Sequence, residues 1–221
     1  MPRTSSIGGG LAGQELLEIL ALRVNFVTVP QVARTWFEHT EHSRTEARAL
    51  LTSLVKENVL APRLLLNAYA EQPVEKPVFV WELGDPTPDY RALSERLRAR
   101  WHGLSWLETQ AFAVTQRGAE MVAGGLTPAL HAEDENHDLH VTAMFLTIRH
   151  EHPEWASHWI SDRHYHQERG RPPEFREKTP DALIRINGFR RVIDFGGSYH
   201  VRKVTSIHEF WSAAKIPYEL W

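Results

Sequence analysis

The stretch that decides the fold class of this chain is DALIRINGFRRVIDF, residues 181–195. Apolar and polar residues alternate on both sides of Asn187 and Gly188, a dipeptide typical of the two-residue type I′ turn. The pattern therefore predicts a β-hairpin. Because the two outer ends of a hairpin lie side by side, we expect Asp181 and Asp194 to be neighbours.

The segments around this hairpin predict a mixed α/β arrangement. Residues 131–150 and 201–214 have the spacing of apolar residues typical of helices. Residues 216–221 are expected to form a final strand that docks in the same sheet. The polar stretch 167–178 contains two consecutive prolines and is expected to be a loop.

The N-terminal half predicts three helices in succession. The first covers residues 14–23 and has a broad apolar face. The second is expected to begin after a Thr28 cap, with Pro30 in its first turn. Ser43 and Glu46 have the spacing of a capping box, which predicts the start of a third helix there.

A two-stranded ribbon is expected after the third helix. Residues 59–65 are predicted to form its first strand and residues 77–83 its returning strand. Three helices followed by such a ribbon is the element order of a winged helix. Residues 90–101 then predict an amphipathic helix, and residues 108–115 predict a further short strand.

These patterns together predict an α+β protein. An N-terminal winged helix-turn-helix domain would be followed by a restriction-endonuclease-like α/β domain. We expect a disordered tail over residues 1–10, a winged-helix domain with an appended helix and strand over 11–126, and the nuclease-like domain over 127–221.

Composition narrows the classes of function. The net charge is −3 and the isoelectric point is near 6.5, which argues against a strong non-specific binder of polyanions. The chain has no cysteine, so disulfides, thiolate zinc sites and cysteine nucleophiles are excluded. No run of about 18 apolar residues occurs. These features lead us to expect a cytoplasmic protein that does not enter a membrane.

The third predicted helix is the candidate DNA-recognition helix. Its first turns carry Arg44, Thr45 and Arg48, and such residues meet base edges in the major groove in helix-turn-helix proteins. Arginine suits this role because its planar fork pairs with guanine acceptors or phosphate. Arg63, on the predicted ribbon, is a fourth candidate. The alternatives are a solvated helix face and a protein-docking module.

The predicted neighbours Asp181 and Asp194 suggest a second kind of site. Two carboxylates can share a divalent cation such as Mg²⁺, which can activate water for phosphodiester cleavage. The layout resembles that of PD-(D/E)xK nucleases, in which a lysine lies two residues after the second acid. Residue 196 is glycine here, and Lys203 is the candidate substitute. Alternatively, both carboxylates only cap strand ends.

Several residues of the helical stretch before the hairpin are further ligand candidates. Asp138 is the candidate third metal ligand, and Glu135 is an alternative to it. Asp162 is another acidic candidate. His137 and His140 are three residues apart and can share a helical face, although histidines of this kind are most often surface or hydrogen-bonded residues.

The chain resembles the replication-relaxation family of bacterial mobile elements, in which a winged helix precedes a nuclease-like α/β domain. The similar segments are LVKENVL (54–60), FAVTQRG (112–118), HDLH (137–140), PDA (180–182) and VIDFGG (192–197). The resemblance implies DNA binding and a place in plasmid or mobile-element biology. The chain departs from the family pattern at Phe195 and Gly196, which follow Asp194.

Three functions are therefore expected in order of preference. The first is a DNA-binding protein with a degenerate nuclease-like domain, acting in plasmid or mobile-element replication, transfer or regulation. The second is a metal-dependent DNA endonuclease that uses Asp181, Asp194 and Lys203. The third is a protein-interaction module without DNA affinity. Winged helices often bind DNA as dimers, so a homodimer is compatible with the first.

Overall fold

The computed structural model describes residues 10–37, 42–67, 76–100, 106–123, 135–162 and 178–221. Helices and strands are interspersed throughout these ranges, so the predicted α+β class is confirmed. Residues 1–9 of the disordered tail expected at residues 1–10, and most of the loop expected at 167–178, lie outside the described residues. Gly10, the last residue of that expected tail, is instead the first residue of a helix.

The described residues contain eight helices and eight strands. The helices are α1 (Gly10–Leu22), α2 (Val29–Trp36), α3 (Ser43–Lys56), α4 (Tyr90–Ala99), α5 (Gln116–Ala123), α6 (Glu135–Glu151), α7 (Pro153–Ser157) and α8 (Val201–Ala213). The strands are β1 (Val27–Thr28), β2 (Leu60–Asn67), β3 (Phe79–Trp81), β4 (Leu107–Val114), β5 (Trp159–Ser161), β6 (Ala182–Ile186), β7 (Phe189–Asp194) and β8 (Tyr218–Leu220).

The chain forms two compact units. The first contains residues 1–72 and 106–146, and the second contains residues 73–105 and 147–221. This division differs from the single boundary expected near residue 126. The difference arises because β3 and α4, although early in the sequence, join the sheet and core of the second unit.

The predicted start of α2 is confirmed in detail. The Thr28 hydroxyl accepts a hydrogen bond from the backbone N–H of Gln31 at 3.3 Å, and the Gln31 side chain accepts one from the backbone N–H of Thr28 at 2.9 Å. Pro30 lies in the first turn, where its missing N–H leaves no hydrogen bond unmade.

The capping box predicted at Ser43 is not formed. The helix begins at Ser43 itself, after an N-cap residue, His42, whose side chain makes no capping hydrogen bond. Ser43 is buried, and Ala47, Leu50, Leu51 and Leu54 form the inner face of the helix. The apolar spacing therefore predicted α3 correctly, whereas the cap motif assigned Ser43 a role it does not have.

The predicted partner of the first ribbon strand is wrong. β2 pairs antiparallel with β4 along its whole length, from Leu60 opposite Val114 to Asn67 opposite Leu107. β3, the strand expected to return beside β2, instead pairs with β8 in the second unit. The sheet of the first unit has the order β1-β4-β2.

The second unit is built on a five-stranded sheet of order β3-β8-β7-β6-β5. Its pairs are antiparallel except for β7 and β8, which are parallel. The predicted type I′ hairpin joins β6 to β7: Asn187 and Gly188 have φ values of 44° and 87°, and Ile186 faces Phe189. The predicted final strand is confirmed as β8, which lies inside the sheet.

One face of this sheet packs against α4 and α8. The core between them contains Trp81, Leu93, Leu97, Leu183, Val192, Val204, Ile207, Trp211, Ile216, Tyr218 and Leu220. Burying this much apolar surface is the main source of stability for the unit, at roughly 25 cal/mol per Å² removed from water. Leu183 of β6, Val192 of β7 and Val204 of α8 all belong to this core, which therefore holds the outer ends of the hairpin near the start of α8.

Within the parts of the chain that the structure describes, no helix has both the length and the apolar character needed to cross a membrane.

Candidate functional site

The outward face of α3 carries the candidate DNA-contacting residues. Arg44, Thr45 and Arg48 are all exposed, as expected. Thr45 lies opposite the buried leucines of the helix, whereas Arg44 and Arg48 lie at the edge between the buried and the outward face, because side chains repeat on a helix face every three to four residues. The helix contains three basic residues and one acidic residue, so this face has a local positive charge that the whole chain lacks.

A shallow groove of about 440 Å³ runs along this face. Its lining consists of small residues with two basic side chains: Thr45, Arg48, Ala49, Thr52, Ser53 and Lys56. Small side chains let another molecule approach the helix closely, and the basic residues favour an anionic one. Arg63, the fourth predicted contact residue, is exposed on β2, a strand in contact with α3.

The structure brings Asp181 and Asp194 together, as predicted. Ala182 faces Ile193 in the β6–β7 ladder, so the next pair outward is Asp181 opposite Asp194. The Asp181 carboxylate accepts a hydrogen bond from the backbone N–H of Phe195 at 2.6 Å. This carboxylate therefore continues the ladder beyond the last strand residues, which is the strand-capping role considered above as an alternative.

The Asp194 carboxylate is held by a residue that the sequence did not indicate. It is 8% exposed and accepts a hydrogen bond from the Tyr199 hydroxyl at 3.2 Å. Burial, followed by the negative charges of Asp194 and Asp181, raises the pKa of Tyr199. The hydroxyl consequently stays protonated and acts as a donor to Asp194.

Two lysines border the carboxylates. Lys203, the predicted substitute, is exposed in the first turn of α8 and lies 5.3 Å from the centre of the Tyr199 ring. Lys178 is half-buried, donates a hydrogen bond to Ser206 and lies 6.0 Å from the centre of the Phe210 ring. We call Lys178, Asp181, Asp194, Tyr199 and Lys203 the strand-end cluster.

The charges of the strand-end cluster act on one another. Partial burial lowers the pKa of Lys178, and the positive charge of Lys203 lowers it further. The negative charges of Asp194 and Glu209 oppose both effects. The sequence did not single out Lys178 or Tyr199. Lys178 is three residues before Asp181 and Tyr199 is five residues after Asp194, and both lie in segments without regular periodicity.

The packing of Gly196 accounts for the missing lysine. A Cβ atom at this position would lie 2.4 Å from Leu97 Cδ2 and 3.1 Å from the carbonyl oxygen of Trp221. The Gly196 N–H also donates to that carbonyl at 2.7 Å. A side chain there would require the buried Leu97 to move, and the amines of the strand-end cluster, Lys178 and Lys203, come from other segments.

Among the residues that the structure describes, no group of three or more His, Asp or Glu side chains is arranged to hold a metal ion. Asp181 and Asp194 each accept a hydrogen bond from the protein itself, and positive charge is already supplied by Lys178 and Lys203. Mg²⁺ usually takes one or two carboxylates and completes its coordination with water, so the protein contacts of Asp181 and Asp194 would compete with it.

The other residues predicted as metal ligands do not belong to the strand-end cluster. Asp138 lies in the first unit, where its carboxylate accepts a hydrogen bond from the Asn25 amide at 2.8 Å. Asp162 is next to Asp181 in the β5–β6 pair, and its N–H donates to the Asp181 carbonyl at 3.2 Å. His140 is buried in α6. The Glu135 side chain is outside the described part of the structure.

No family model, curated protein or solved structure matches this chain. Function is therefore inferred from its own residues and their arrangement.

Proposed function

We propose that the protein binds DNA through α3 and carries a nuclease-like second unit whose metal site has been lost. The observation that carries this proposal is the exposed basic face of α3, where Thr45 and Arg48 line a groove of small residues and Arg44 is exposed one turn earlier. In this proposal the first unit is a winged helix-turn-helix domain, α3 is its recognition helix and duplex DNA is its ligand.

The shape of the α3 face suits the major groove of DNA. Ala49 and Thr52 lie between the basic residues and have side chains short enough for bases to approach the helix. Arg44 and Arg48 can pair with guanine or phosphate, and Lys56 at the end of the helix can contact the backbone. In this proposal Arg44 and Arg48 can read the base sequence, whereas Lys56 positions the helix on the DNA backbone.

The β2–β4 ribbon supplies the wing in this proposal. It follows α3 directly, and Arg63 on β2 is exposed for a phosphate contact. Residues 68–106, which include β3 and α4, separate its two strands in the sequence. The wing is therefore formed by strands that are distant in the chain rather than by a simple hairpin.

The strand-end cluster supports the loss of nuclease activity. Gly196 leaves no space for the motif lysine, and both aspartates are satisfied by protein donors. A protein of this type would resemble the replication-relaxation family and act in plasmid or mobile-element replication, transfer or regulation. The site of action would be the cytoplasm, where its DNA ligand is found.

The first test is a gel shift on duplex DNA over a series of salt concentrations. Arg44→Glu combined with Arg48→Glu should weaken binding about tenfold or more, because two groove contacts would become repulsive. Arg91→Glu combined with Arg98→Glu makes the same charge change at exposed positions of α4 and is the matched control. If neither wild type nor control shifts DNA at low salt, the proposal fails and a protein-interaction module is favoured.

The same DNA should be incubated with Mg²⁺, Mn²⁺ or EDTA to test the endonuclease alternative. The residues involved would be Asp181 and Asp194, which the β6–β7 register places opposite each other. Metal-dependent cleavage that disappears in the Asp181→Ala, Asp194→Ala double variant would overturn the loss of activity. Binding without cleavage, unchanged by the double substitution, is the expected result.

A further inference from the structure

The groove along α3 combines methyl groups with positive charge. Its lining includes three short side chains that carry a methyl group, those of Thr45, Ala49 and Thr52, and two cations, Arg48 and Lys56. None of the lining residues is acidic. A molecule that fills this groove should therefore be anionic and should also present apolar groups.

The methyl groups follow one line along the helix. Thr45, Ala49 and Thr52 are four and three residues apart, so they lie on one face, and all three are exposed. Leu51 and Leu54, on the opposite face, are buried. From Thr45 to Thr52 the helix axis advances about 10.5 Å, which is the length of about three base-pair steps of a DNA duplex. The line of methyl groups can therefore contact successive base pairs.

The face that carries these groups is rigid before any ligand arrives. The helix contacts both α2 and β2, and its inner leucines are buried. Threonine is branched at Cβ and has few χ1 rotamers, so Thr45 and Thr52 hold their methyl groups in defined directions. Little conformational entropy is then lost when a ligand contacts them, which favours selective binding.

The major groove of duplex DNA offers the matching chemistry. Thymine and 5-methylcytosine carry a methyl group at C5 there, with which alanine and threonine methyl groups make apolar contacts. Guanine presents N7 and O6, which together accept a bidentate pair of hydrogen bonds from arginine. Uracil and unmethylated cytosine lack the C5-methyl group, so the same contacts distinguish them from the methylated bases.

We propose that α3 selects DNA sites in which a pyrimidine with a C5-methyl group lies beside a guanine. Thr45, Ala49 and Thr52 contact the methyl group. Arg48 binds the guanine from the edge of the groove, and Lys56 contacts a phosphate. This inference rests on the proposed binding of duplex DNA and adds which bases the same site selects. Thymine and 5-methylcytosine share the recognised chemistry, and the test below distinguishes them.

Selection from two pools of random-sequence duplexes provides the probes. One pool contains the four ordinary bases, and in the other 5-methylcytosine replaces cytosine. Enriched sequences should place guanine next to thymine in the first pool, or next to 5-methylcytosine in the second, and this identifies the source of the methyl group.

Fluorescence anisotropy on the enriched duplex then measures each contact. Replacing a contacted thymine by uracil, or 5-methylcytosine by cytosine, should weaken binding about fourfold for each methyl group removed. Replacing the guanine by 7-deazaguanine, which lacks the N7 acceptor, should weaken binding about fivefold or more.

Serine variants test whether the threonines make the methyl contact. Thr45→Ser combined with Thr52→Ser removes both methyl groups and keeps both hydroxyls, so the ratio of affinities for the methylated and unmethylated duplexes should fall toward one. Thr205→Ser makes the same change on α8 and should leave this ratio as in wild type. Arg48→Ala should abolish the effect of 7-deazaguanine. Circular dichroism of each variant checks that the fold is intact.

The outcomes separate this inference from the proposed function. Equal affinity of wild type for methylated and unmethylated duplexes, or an unchanged ratio in the folded double serine variant, overturns the inference and leaves DNA binding in place. Equal binding of all sequences has the same meaning. If no duplex binds at low salt, the proposed function fails together with the inference, and a protein segment becomes the favoured occupant of the groove.

Discussion

Gly196 packs so tightly against Leu97 that a Cβ on the glycine would lie 2.4 Å from Leu97 Cδ2. Leu97 is completely buried, so it has little space to move away. The position two residues after Asp194 is therefore closed to the lysine that completes a PD-(D/E)xK motif. This single contact links the packing of α4 to the chemistry available at the β6–β7 ends.

Substitution of Gly196 should consequently destabilise the second unit. We expect Gly196→Ala to lower the free energy of unfolding by about 1–3 kcal/mol, because an extra methyl group overpacks the core. Gly196→Lys should cost more. Urea denaturation provides the measurement, and Ser198→Ala, at an exposed position two residues away, is the control. A Gly196→Lys variant as stable as wild type would show that the position is open.

The contact between Tyr199 and Asp194 should appear as a coupling energy. Removing the hydroxyl with Tyr199→Phe leaves a buried carboxylate without that donor, at a cost of about 1–3 kcal/mol. Asp194→Asn should be costly as well, but the double variant should cost less than the two single changes added together. A double-mutant cycle by urea denaturation measures this difference, and strict additivity would contradict the interaction.

Divalent cations should have little effect on the stability of the protein. Asp181 and Asp194 already accept hydrogen bonds from Phe195 and Tyr199, and Lys178 and Lys203 supply positive charge nearby. We therefore expect the melting temperature to be the same in EDTA and in millimolar Mg²⁺. A rise in Mg²⁺ that is absent in the Asp181→Ala, Asp194→Ala variant would reveal a specific metal site, since ligands stabilise the state that binds them.

Acid should destabilise the second unit partly through His208. This residue is buried, 3.0 Å from the Tyr218 hydroxyl, and burial lowers its pKa more strongly than Glu209 raises it. As the pH falls below about 6.5, the unfolded chain takes up a proton that the folded imidazole resists, so the free energy of unfolding decreases. The contribution is complete above about pH 6.5 and is lost as the pH falls through the folded pKa.

Unfolding curves at closely spaced pH values between about 7 and 5 should show this dependence. His208→Gln keeps a polar side chain that does not titrate, and its stability should change less over the same interval. His158→Gln, at an exposed position, is the control. An identical pH dependence in wild type and His208→Gln would assign the effect to other groups.

The capping box at the start of α2 should be worth about 1 kcal/mol. Thr28→Ala removes the acceptor for the Gln31 N–H and should lower the free energy of unfolding by that amount or slightly more, because Thr28 is fully buried. Thr28→Ser retains the acceptor and should restore most of the loss. Thr45→Ala, at an exposed site on α3, is the control. Equal stability of the alanine and serine variants would argue against the cap.

Local signals in the sequence proved the most informative. Thr28 and Pro30 predicted the start of α2, and Asn187 with Gly188 predicted the hairpin. Each of these features depends on residues within a few positions of one another, so the physics is contained in a short stretch. Ser43 was misassigned as an N-cap because its spacing to Glu46 matches a capping box, whereas the helix already begins at Ser43 and its N-cap residue is His42.

Strand pairing illustrates what local patterns leave open. β2 and β3 both have the composition of short strands, and proximity in the sequence favoured pairing them. The partner of β2 is β4, about forty residues further along the chain. An alternating strand presents similar hydrogen-bonding groups to any partner, so the choice depends on which apolar faces can be buried together.

The sequence by itself determined the helices with clear periodicity, the hairpin and the convergence of Asp181 and Asp194, because a two-residue turn dictates which positions face each other. Only the tertiary structure decided what surrounds that pair. Tyr199 donates to Asp194 from an irregular segment, the charge of Asp194 acts on Lys178 in another, and Leu97 packs against position 196 from a helix about one hundred residues earlier in the chain. Such contacts arise when distant elements pack together, and no spacing rule within one segment encodes them.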